Sequence, residues 1–412
     1  MKIVIYGINF SPEMIGVGKY TGELAEWLAS RGHAVKVITA PPYYPGWKVN
    51  PPYSAAKYHR DGDRLIRCPI WVPSKPSGLK RIIHLASFAI SSFPPLIYQV
   101  FWRPDLVWVV EPTLLCAPGA ILVSRMSGSS AWLHVQDFEV DAAFKLGFLS
   151  SIFFRNLIMS GERWLMRQFD CVSTISGNMA DGLHKKGVPA ASVRLFPNWV
   201  DTDLIRPLNS PSPYRSELGL PDNAIVVMYS GNMGSKQGLE ILVAAARLLR
   251  LRSNLRFVFC GDGADRDNLV AHAAGLGNVT FLPLQPTEKL NDLLNLADMH
   301  LLPQKGDAAD LVMPSKLTGM LASGRPVVAT AKQGTQLAAT VAGNGIVVEP
   351  DNARAFADAI SLLADDARLR GQLGTAARQY AVTHLGKQAI LNEFEKAFSE
   401  IANVRRRAKG QP

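Results

Sequence analysis

The first forty residues decide the fold: residues 2–40 are KIVIYGINFSPEMIGVGKYTGELAEWLASRGHAVKVITA. They contain an apolar run, a glycine-containing loop, an amphipathic stretch and a second apolar run. The amphipathic stretch has apolar side chains at a helical period, and Gly32 suits its C-terminal cap. These side chains are Tyr20, Leu24, Trp27 and Leu28. The pattern predicts strand 2–10, loop 11–18, helix 20–30 and strand 34–40, which together form a βαβ unit.

The alternation of strands and helices continues along the chain and is interrupted once. Residues 197–213 hold four prolines, as a linker would. Other predicted strands are 106–110, 131–135, 171–175, 225–231, 255–261, 279–284, 299–303, 326–330 and 346–349. Strands that alternate with helices favour parallel sheets covered on both faces. We expect Rossmann-like domains at 1–200 and 201–385, and a terminal helix with a basic tail at 386–412 that could pack on the first domain.

Composition favours a folded protein of the cytoplasm. A chain of 412 residues exceeds what one core usually supports, and 48% hydrophobic with 19% charged residues argues against disorder. The four cysteines are widely spaced, so neither a zinc site nor a disulfide framework is indicated. The apolar run that follows Met1 is too short for a signal peptide.

The net charge of +10 is concentrated near the N-terminus, where residues 1–103 contain 13 Lys and Arg against 5 Asp and Glu. No nucleic-acid recognition motif accompanies this charge, so we expect an anionic membrane surface as partner and no nucleic acid. Residues 82–102 are almost uncharged and could be helices packed on the sheet or an in-plane membrane contact. A membrane-spanning helix is disfavoured because Pro94 and Pro95 interrupt the stretch. We expect peripheral attachment to the inner face of the cell membrane.

Two glycine loops lie between a strand and a helix, where backbone N–H groups favour an anion. The first contains Gly16 and Gly18 and departs from the G-x-G-x-x-G dinucleotide pattern. The second, residues 231–238, adds Lys236, a cation that would stabilise the charge growing on a departing nucleoside diphosphate. The first loop could instead need glycine only for its turn, and Lys236 could be a solvated lysine.

Several motifs in order along the chain resemble those of retaining glycosyltransferases of family four. They are RGHAVKVI (31–38), FPNWVD (196–201), the loop 231–238, GDG (261–263), PSK (314–316) and ASGRPVV (322–328). The resemblance implies the GT-B fold, in which two Rossmann-like doubly wound α/β domains face each other across a cleft. A closer likeness, in residues 6–13, 39–45, 134–141 and 308–316, is to fucosyltransferases of colanic acid biosynthesis.

The resemblance implies an acceptor-binding first domain, a nucleotide-sugar-binding second domain, and a role for each site residue. His134 would face the donor sugar with Asp137 nearby, and Lys236 would hold the diphosphate as the third catalytic residue. The donor-binding residues would be Gly16, Gly18, Gly231, Asn232, Gly238, Gly261, Asp310, Ser315 and Lys316. The implied donor is GDP-fucose, and the implied acceptor is a lipid-linked saccharide of exopolysaccharide biosynthesis.

The sequence departs from the family pattern at the donor site. Family members commonly carry two glutamates eight residues apart, and here Leu311 and Gly319 stand at those places. The usual arginine of the second glycine loop is also missing near Asn232. Asp310 or Glu240 could replace the missing acids.

Metal use and two rival functions complete the predictions. Two D-x-D triplets, residues 61–63 and 201–203, could hold Mg²⁺, but such short matches carry little weight, so we expect no metal and no cofactor beyond the nucleotide sugar.

Two other functions remain as alternatives. A nucleotide-sugar epimerase or oxidoreductase would need bound NAD. A noncatalytic membrane-bound scaffold would explain the missing glutamates.

Overall fold

The computed structural model describes residues 1–13, 16–74, 78–112, 114–138, 140, 152–234, 237–305 and 314–408. The chain divides into two compact units. Unit 1 contains Met1–Pro197 and Ile390–Pro412, and unit 2 contains Asn198–Ala389. The sequence predicts boundaries at residues 200 and 385.

Unit 1 is built on one mainly parallel sheet. Its described strands are β1 (Lys2–Tyr6), β2 (Ala34–Thr39), β3 (His59–Asp61), β4 (Leu65–Arg67), β5 (Leu106–Glu111), β6 (Ser130–Val135), β7 (Cys171–Thr174) and β8 (Val193–Leu195). Their order is β3-β4-β2-β1-β5-β6-β7-β8, and only β3 and β4 pair antiparallel. Every residue of β5 and β6 is buried, as expected for central strands covered on both faces.

The described helices of unit 1 that precede the linker flank this sheet. They are α1 (Val17–Ser30), α2 (Gly78–Trp102), α3 (Ala117–Ser127), α4 (Ile152–Met166) and α5 (Gly177–Lys185). The helix α1 begins at Val17, three residues before the predicted start, because Gly16 adopts the N-cap position with φ of 65°. The amphipathic period of the sequence therefore marks the body of the helix but not its first turn.

The helix α2 runs without a break through Pro94 and Pro95, so the predicted interruption is wrong. Proline has no N–H, and Pro95 therefore cannot donate the helical hydrogen bond to the carbonyl of Ser91 one turn earlier. The hydroxyl of Tyr58 donates to that carbonyl at 2.6 Å and replaces the missing partner. No helix in the described part of the chain is long and apolar enough to cross a membrane.

Unit 2 contains a second sheet, and all of its described strands are parallel. They are β9 (Ile225–Ser230), β10 (Leu255–Cys260), β11 (Val279–Leu282), β12 (Met299–Leu302), β13 (Val327–Thr330) and β14 (Gly345–Val348), in the order β11-β10-β9-β12-β13-β14. Along β9, Val226 and Met228 enter one hydrophobic cluster, while Val227 and Tyr229 enter another. This alternation places a core on each face of the sheet.

The helices that cover these two faces are mostly short. Those described are α6 (Pro213–Glu217), α7 (Glu240–Leu248), α8 (Arg266–His272), α9 (Leu290–Leu296), α10 (Lys316–Ala322), α11 (Gln336–Val341), α12 (Ala353–Asp365) and α13 (Ala367–His384). The last helix, α14 (Lys387–Ala408), belongs to unit 1 from Ile390 onward.

Aromatic packing attaches α14 to unit 1. Phe394 and Phe398 are fully buried. The ring of Phe394 stacks on Phe196 with 3.8 Å between centroids, and the ring of Phe398 meets Trp132 edge-on at 4.8 Å. Burial of two aromatic side chains makes the C-terminal helix part of the core of unit 1.

Replacing Phe394 with alanine should destabilise unit 1 by about 3–5 kcal/mol, because the change removes a fully buried aromatic ring and leaves a cavity. Urea unfolding followed by tryptophan fluorescence measures this loss. Val404→Ala on the same helix is the matched control, since Val404 is 68% exposed and its loss should stay within about 0.5 kcal/mol. Equal losses in the two variants would contradict the packing role.

Candidate functional site

Three loops of unit 1 leave the sheet at the carboxyl ends of β1, β2 and β6. Because these strands are parallel, the loops begin at the same edge of the sheet, where ligands bind in open α/β folds. Gly16 forms the uncapped start of α1, and its φ of 65° favours glycine. A Cβ on Gly18 would lie 2.7 Å from Glu13 Oε2, so this position needs glycine for a close approach.

Glu13 organises this edge, although sequence reasoning did not select it as a site residue. Its Oε1 accepts hydrogen bonds from the backbone N–H groups of Tyr43 and Tyr44, each at 3.0 Å. Its Oε2 accepts from the amide of Asn9 at 2.9 Å. Burial raises the pKa of Glu13, while these hydrogen bonds and Arg67 oppose that rise. The carboxylate thus joins the first loop to the loop that follows β2.

The structure places His134 inside unit 1 rather than at a sugar-facing surface. The ring is 2% exposed, stacks on Trp108 at 5.4 Å and meets Phe394 edge-on at 5.6 Å. Burial lowers its pKa to about 3, so the ring is neutral. The expectation that His134 faces the donor sugar is therefore wrong, because β6 directs its side chain into the core beneath α14.

Both ring nitrogens of His134 have hydrogen-bond partners. The amide nitrogen of Gln136 lies 3.0 Å from Nε2, and since an amide N–H can only donate, Nε2 accepts. The ring proton is then on Nδ1, which donates to Ser173 Oγ at 2.8 Å. Ser173 Oγ also accepts from the indole of Trp132 at 2.7 Å. These bonds fix Gln136 at the end of β6, directly before Asp137.

Asp137 is half-buried and belongs to the carboxyl edge of the sheet of unit 1. Burial raises the pKa of Tyr44, and the charges of Asp137 and Glu13 raise it further, whereas Arg81 lowers it. The hydroxyl of Tyr44 thus lies in the field of two carboxylates. The structure therefore groups Asp137, Glu13 and Tyr44 with the glycine loop, and separates them from the buried ring of His134.

In unit 2, Gly231 and Gly261 bring the loops after β9 and β10 into contact. Both have a φ that favours glycine, 138° for Gly231 and 143° for Gly261. A Cβ on Gly261 would lie 2.0 Å from the carbonyl oxygen of Gly231. The N–H of Met233 donates to the carbonyl of Asp262 at 2.7 Å and continues the contact.

Lys316 extends from α10 toward this pair of loops. Its Nζ donates to Tyr229 Oη at 2.9 Å and lies 4.1 Å from the centre of that ring. A Cβ on Gly231 would be 3.3 Å from Lys316 Cδ. Tyr229 Oη in turn donates to the carbonyl of Asn232 at 2.6 Å. Burial lowers the pKa of Lys316 to about 7, so its charge responds to conditions near neutrality.

The remaining predicted donor residues fall around these loops or outside the described residues. Ser315 is the N-cap of α10, where its side chain makes no capping hydrogen bond. Gly238 has a φ of 65°, and a Cβ there would lie 3.0 Å from Lys305 Cγ. Lys236 and Asp310, like Leu311, lie outside the described residues.

The position of one missing family glutamate, Gly319, approaches the core of unit 2. A Cβ on Gly319 would lie 3.3 Å from Leu294 Cδ1. Glu240, a suggested substitute, lies 3.8 Å from Lys305 Nζ. Lys305 is thus a second cation beside the glycine loop.

Each of the two D-x-D triplets lies at a turn of the chain. Asp61 ends β3 and begins the hairpin turn that contains Asp63. Asp201 Oδ1 accepts from the N–H groups of Asp203 and Leu204, at 3.1 and 3.0 Å. Within the described ranges, no group of three potential ligands is placed to hold a metal ion.

Comparison with known proteins assigns this geometry to a family. Residues 16–199 match the glycosyl transferase 4-like domain, and residues 212–380 match the glycosyl transferases group 1 domain. A relative from Escherichia coli K12, the putative colanic acid biosynthesis glycosyl transferase WcaI, is 45% identical over 406 residues, which cover 96% of this chain and 98% of the relative. The chain belongs to this family of glycosyltransferases. The family does not favour the epimerase or oxidoreductase alternative.

Solved structures of other proteins show the same fold. Sucrose-phosphate synthase from Thermosynechococcus elongatus is similar with a TM-score of 0.77 and 20% identity, covering 98% of this chain and 100% of that one. HepE from Anabaena, solved in complex with UDP-glucose, has a TM-score of 0.69 and 16% identity, covering 97% of this chain and 100% of that one. The expected fold class, GT-B with two Rossmann-like α/β domains, is confirmed.

Sequence reasoning missed several residues that the glycosyltransferase brings to these edges. Tyr229 is separated from Lys316 by 87 positions, and Glu13 from Tyr44 by 31, so neither pairing has a local signal. Glu13 could have been suspected, because a carboxylate within an anion-favouring glycine loop is unexpected. Lys305 follows β12 and could have been found from its place at the carboxyl end of a parallel strand.

The contact of the two glycine loops predicts that Gly261→Ala is strongly destabilising. The backbone conformation alone should cost about 1–3 kcal/mol, and the clash with the Gly231 carbonyl should add to it. Gly275→Ala is the control, because Gly275 also has a positive φ, 81°, but nothing lies within 4 Å of its Cβ position. Chemical unfolding measures both. A loss no larger at Gly261 than at Gly275 would show that the close approach is unimportant.

Proposed function

We propose that this glycosyltransferase binds a nucleotide-sugar donor at the carboxyl edge of the sheet of unit 2. The observation that carries the proposal is the enclosed amine of Lys316 between Tyr229 and the contacting glycine loops. An ammonium group held beside backbone that only glycine can form suits a diphosphate, because phosphate oxygens can approach the loop closely. The complex of HepE with UDP-glucose supports a nucleotide sugar as the kind of donor.

The donor-binding set proposed for unit 2 rests on these two loops and the start of α10. Its described members are Gly231, Asn232, Gly238, Gly261, Ser315 and Lys316. Lys236 and Asp310 are proposed from the family resemblance alone. In this proposal, Lys316 and Lys236 neutralise the charge on the departing nucleoside diphosphate, and the reaction needs no metal.

Family resemblance favours a GDP-sugar, with fucose as the transferred sugar and retention of the anomeric configuration. The transition state would be oxocarbenium-like, with the acceptor hydroxyl attacking from the leaving-group side. The leaving phosphate oxygen would take the hydroxyl proton, so no covalent enzyme nucleophile is required. Asp137 is proposed as the catalytic residue that unit 1 contributes. His134 would act only indirectly, through Gln136.

The proposed acceptor is a lipid-linked saccharide of an exopolysaccharide pathway of the colanic acid type. The name of the Escherichia coli relative supports the pathway. An exposed apolar surface on α2 supports a lipid-linked acceptor and peripheral attachment to the inner membrane face. This surface, called the α2 face below, contains Leu79, Ile83, Ile90, Tyr98 and Phe101, and Lys80 and Arg103 flank it.

A screen of nucleotide sugars tests the donor proposal. GDP-fucose should raise the melting temperature more than other GDP-, UDP- and dTDP-sugars, because a ligand at about 100 times its Kd adds about 2.7 kcal/mol to the stability of the folded state. Lys316→Met should weaken binding of the preferred donor at least about tenfold, a loss of about 1.4 kcal/mol. Arg250→Met, at an exposed arginine that precedes β10 at the opposite edge of the same sheet, should have no effect. Stabilisation by no nucleotide sugar would refute the proposal.

Co-sedimentation with liposomes tests attachment. The wild type should bind vesicles that contain phosphatidylglycerol and dissociate as salt is raised, since salt screens its basic flanks. Ile90→Glu with Phe101→Glu should abolish binding, because Ile90 is 74% and Phe101 81% exposed on the α2 face. Leu251→Glu, at an exposed leucine of unit 2, is the control. Binding that survives the double change would exclude the α2 face.

A further inference from the structure

The loop that follows β2 presents aromatic side chains beside the start of α2. Trp47 has φ of 50°, an uncommon conformation for a bulky residue, and its ring lies 5.6 Å from Tyr43 and 5.2 Å from His84. His84 is itself fixed, because its Nδ1 lies 2.6 Å from the carbonyl oxygen of Trp71. Strained backbone that the surrounding contacts hold in place is typical of binding sites. The loop is therefore a preorganised surface.

Tyr44 adds a polar group to this surface. Its side chain is 39% exposed, and its Cε1 lies 3.7 Å from the Cβ position of Gly16. Glu13 fixes the backbone of Tyr44 through the hydrogen bond described above. Burial, together with the charges of Asp137 and Glu13, raises the pKa of the Tyr44 phenol, so it stays protonated and can donate a hydrogen bond to a ligand.

Arg81 supplies a cation over one ring of the same surface. Its guanidinium lies 5.8 Å from the centre of the Trp47 ring, and the residue is exposed. A planar guanidinium suits phosphate because it can donate two parallel hydrogen bonds. Lys80 is an exposed neighbour that strengthens the local positive field.

We propose that Tyr44, Trp47 and Arg81 form the acceptor subsite of unit 1, where a sugar ring lies on the aromatic surface and a phosphate group binds Arg81. Asp137 would accept a hydrogen bond from a sugar hydroxyl at the inner end of this subsite. The inference rests on the proposed function, since it names the part of the acceptor that unit 1 recognises.

The neighbouring part of α2 explains how one acceptor could contact both the aromatic loop after β2 and the apolar side of the helix. Ile82 and Ile83 are exposed directly after Arg81, and they begin the apolar side of the helix. An amphiphile with its phosphate on Arg81 could pass Ile82 at the edge of the helix and place its alkyl chain on the apolar side, while its sugar reaches Tyr44. Aromatic rings, a guanidinium and an apolar helix thus match, in order, a saccharide, a phosphate and a lipid.

Titration calorimetry with two soluble probes tests the subsite. One probe is glucose joined through a diphosphate to an octyl chain, and the other is octyl glucoside, which lacks the diphosphate; both are used below micelle-forming concentration. The wild type should bind the diphosphate probe at least about tenfold more tightly. Arg81→Gln should remove that difference, and Tyr44→Phe should weaken binding of both probes about fivefold or more.

Arg64→Gln is the matched control, because Arg64 is an exposed arginine of unit 1 in the turn between β3 and β4. It should leave the affinity for both probes unchanged. Equal effects of Arg81→Gln and Arg64→Gln, unchanged affinity in Tyr44→Phe, or no binding of either probe by the wild type would overturn the proposal. If vesicles with phosphatidylglycerol compete fully with the probe and Arg81→Gln abolishes vesicle binding alone, Arg81 recognises a lipid headgroup instead, which also overturns it.

The same samples are titrated with GDP-fucose, so that the two proposals fail separately. A wild type that binds this donor but neither probe disproves only the acceptor subsite. A wild type that binds the probes but no nucleotide sugar disproves the donor proposal. Retained donor binding in Tyr44→Phe and Arg81→Gln also shows that these variants are folded.

Discussion

The close approach of Gly231 to Gly261 is the constraint on which the donor site depends. Neighbouring parallel strands end side by side, and side chains on the following residues would normally hold the two loops apart. Here a Cβ would lie 2.0 Å from a carbonyl oxygen, so only glycine allows the loops to touch. The hydroxyl of Tyr229 donates a hydrogen bond to the Asn232 carbonyl, and the amine of Lys316 donates one to that hydroxyl.

Unit 1 obtains its order from a different source, the aromatic core beneath α14. Trp108 and Phe394 contact the ring of His134, and Trp132 packs on Phe394. The hydrogen bonds of His134 continue to Gln136 at the end of β6. The C-terminal helix therefore supports the strand whose end carries Asp137. A histidine that resembles a catalytic group in the sequence instead holds the end of β6 in place. Rigid strands and their helices thus position functional groups that lie on loops.

Much of the fold could be predicted because its signals are local. The amphipathic period of residues 20–30 and the apolar runs of the strands depend only on neighbouring residues. The β3–β4 hairpin was not predicted, since these strands are short and β3 contains His59, Arg60 and Asp61. The continuity of α2 could not be predicted either. The hydroxyl of Tyr58 donates to the Ser91 carbonyl that proline leaves without its helical partner, and Tyr58 lies 33 positions from Ser91.

The site was predictable in outline but not in its contacts. The glycine loops have a backbone requirement that is visible in the sequence, and Lys316 belongs to a family motif. The depressed pKa of Lys316 arises from burial, which depends on tertiary packing and leaves no local pattern. The burial of His134 is hidden for the same reason, since Phe394 lies far along the chain.

The most direct test of the account is the proton uptake that accompanies nucleotide-sugar binding, measured by calorimetry in buffers of different ionisation enthalpy. The pKa of Lys316 is lowered to about 7, so at about pH 8 most of the free enzyme has a neutral amine there. A diphosphate favours the ammonium form, and binding of GDP-fucose should then take up nearly one proton at about pH 8 and almost none at about pH 6. Lys316→Arg should take up none at either pH, because arginine stays charged. Binding by the wild type at about pH 8 without proton uptake, or equal uptake in Lys316→Arg, would contradict a diphosphate site at Lys316.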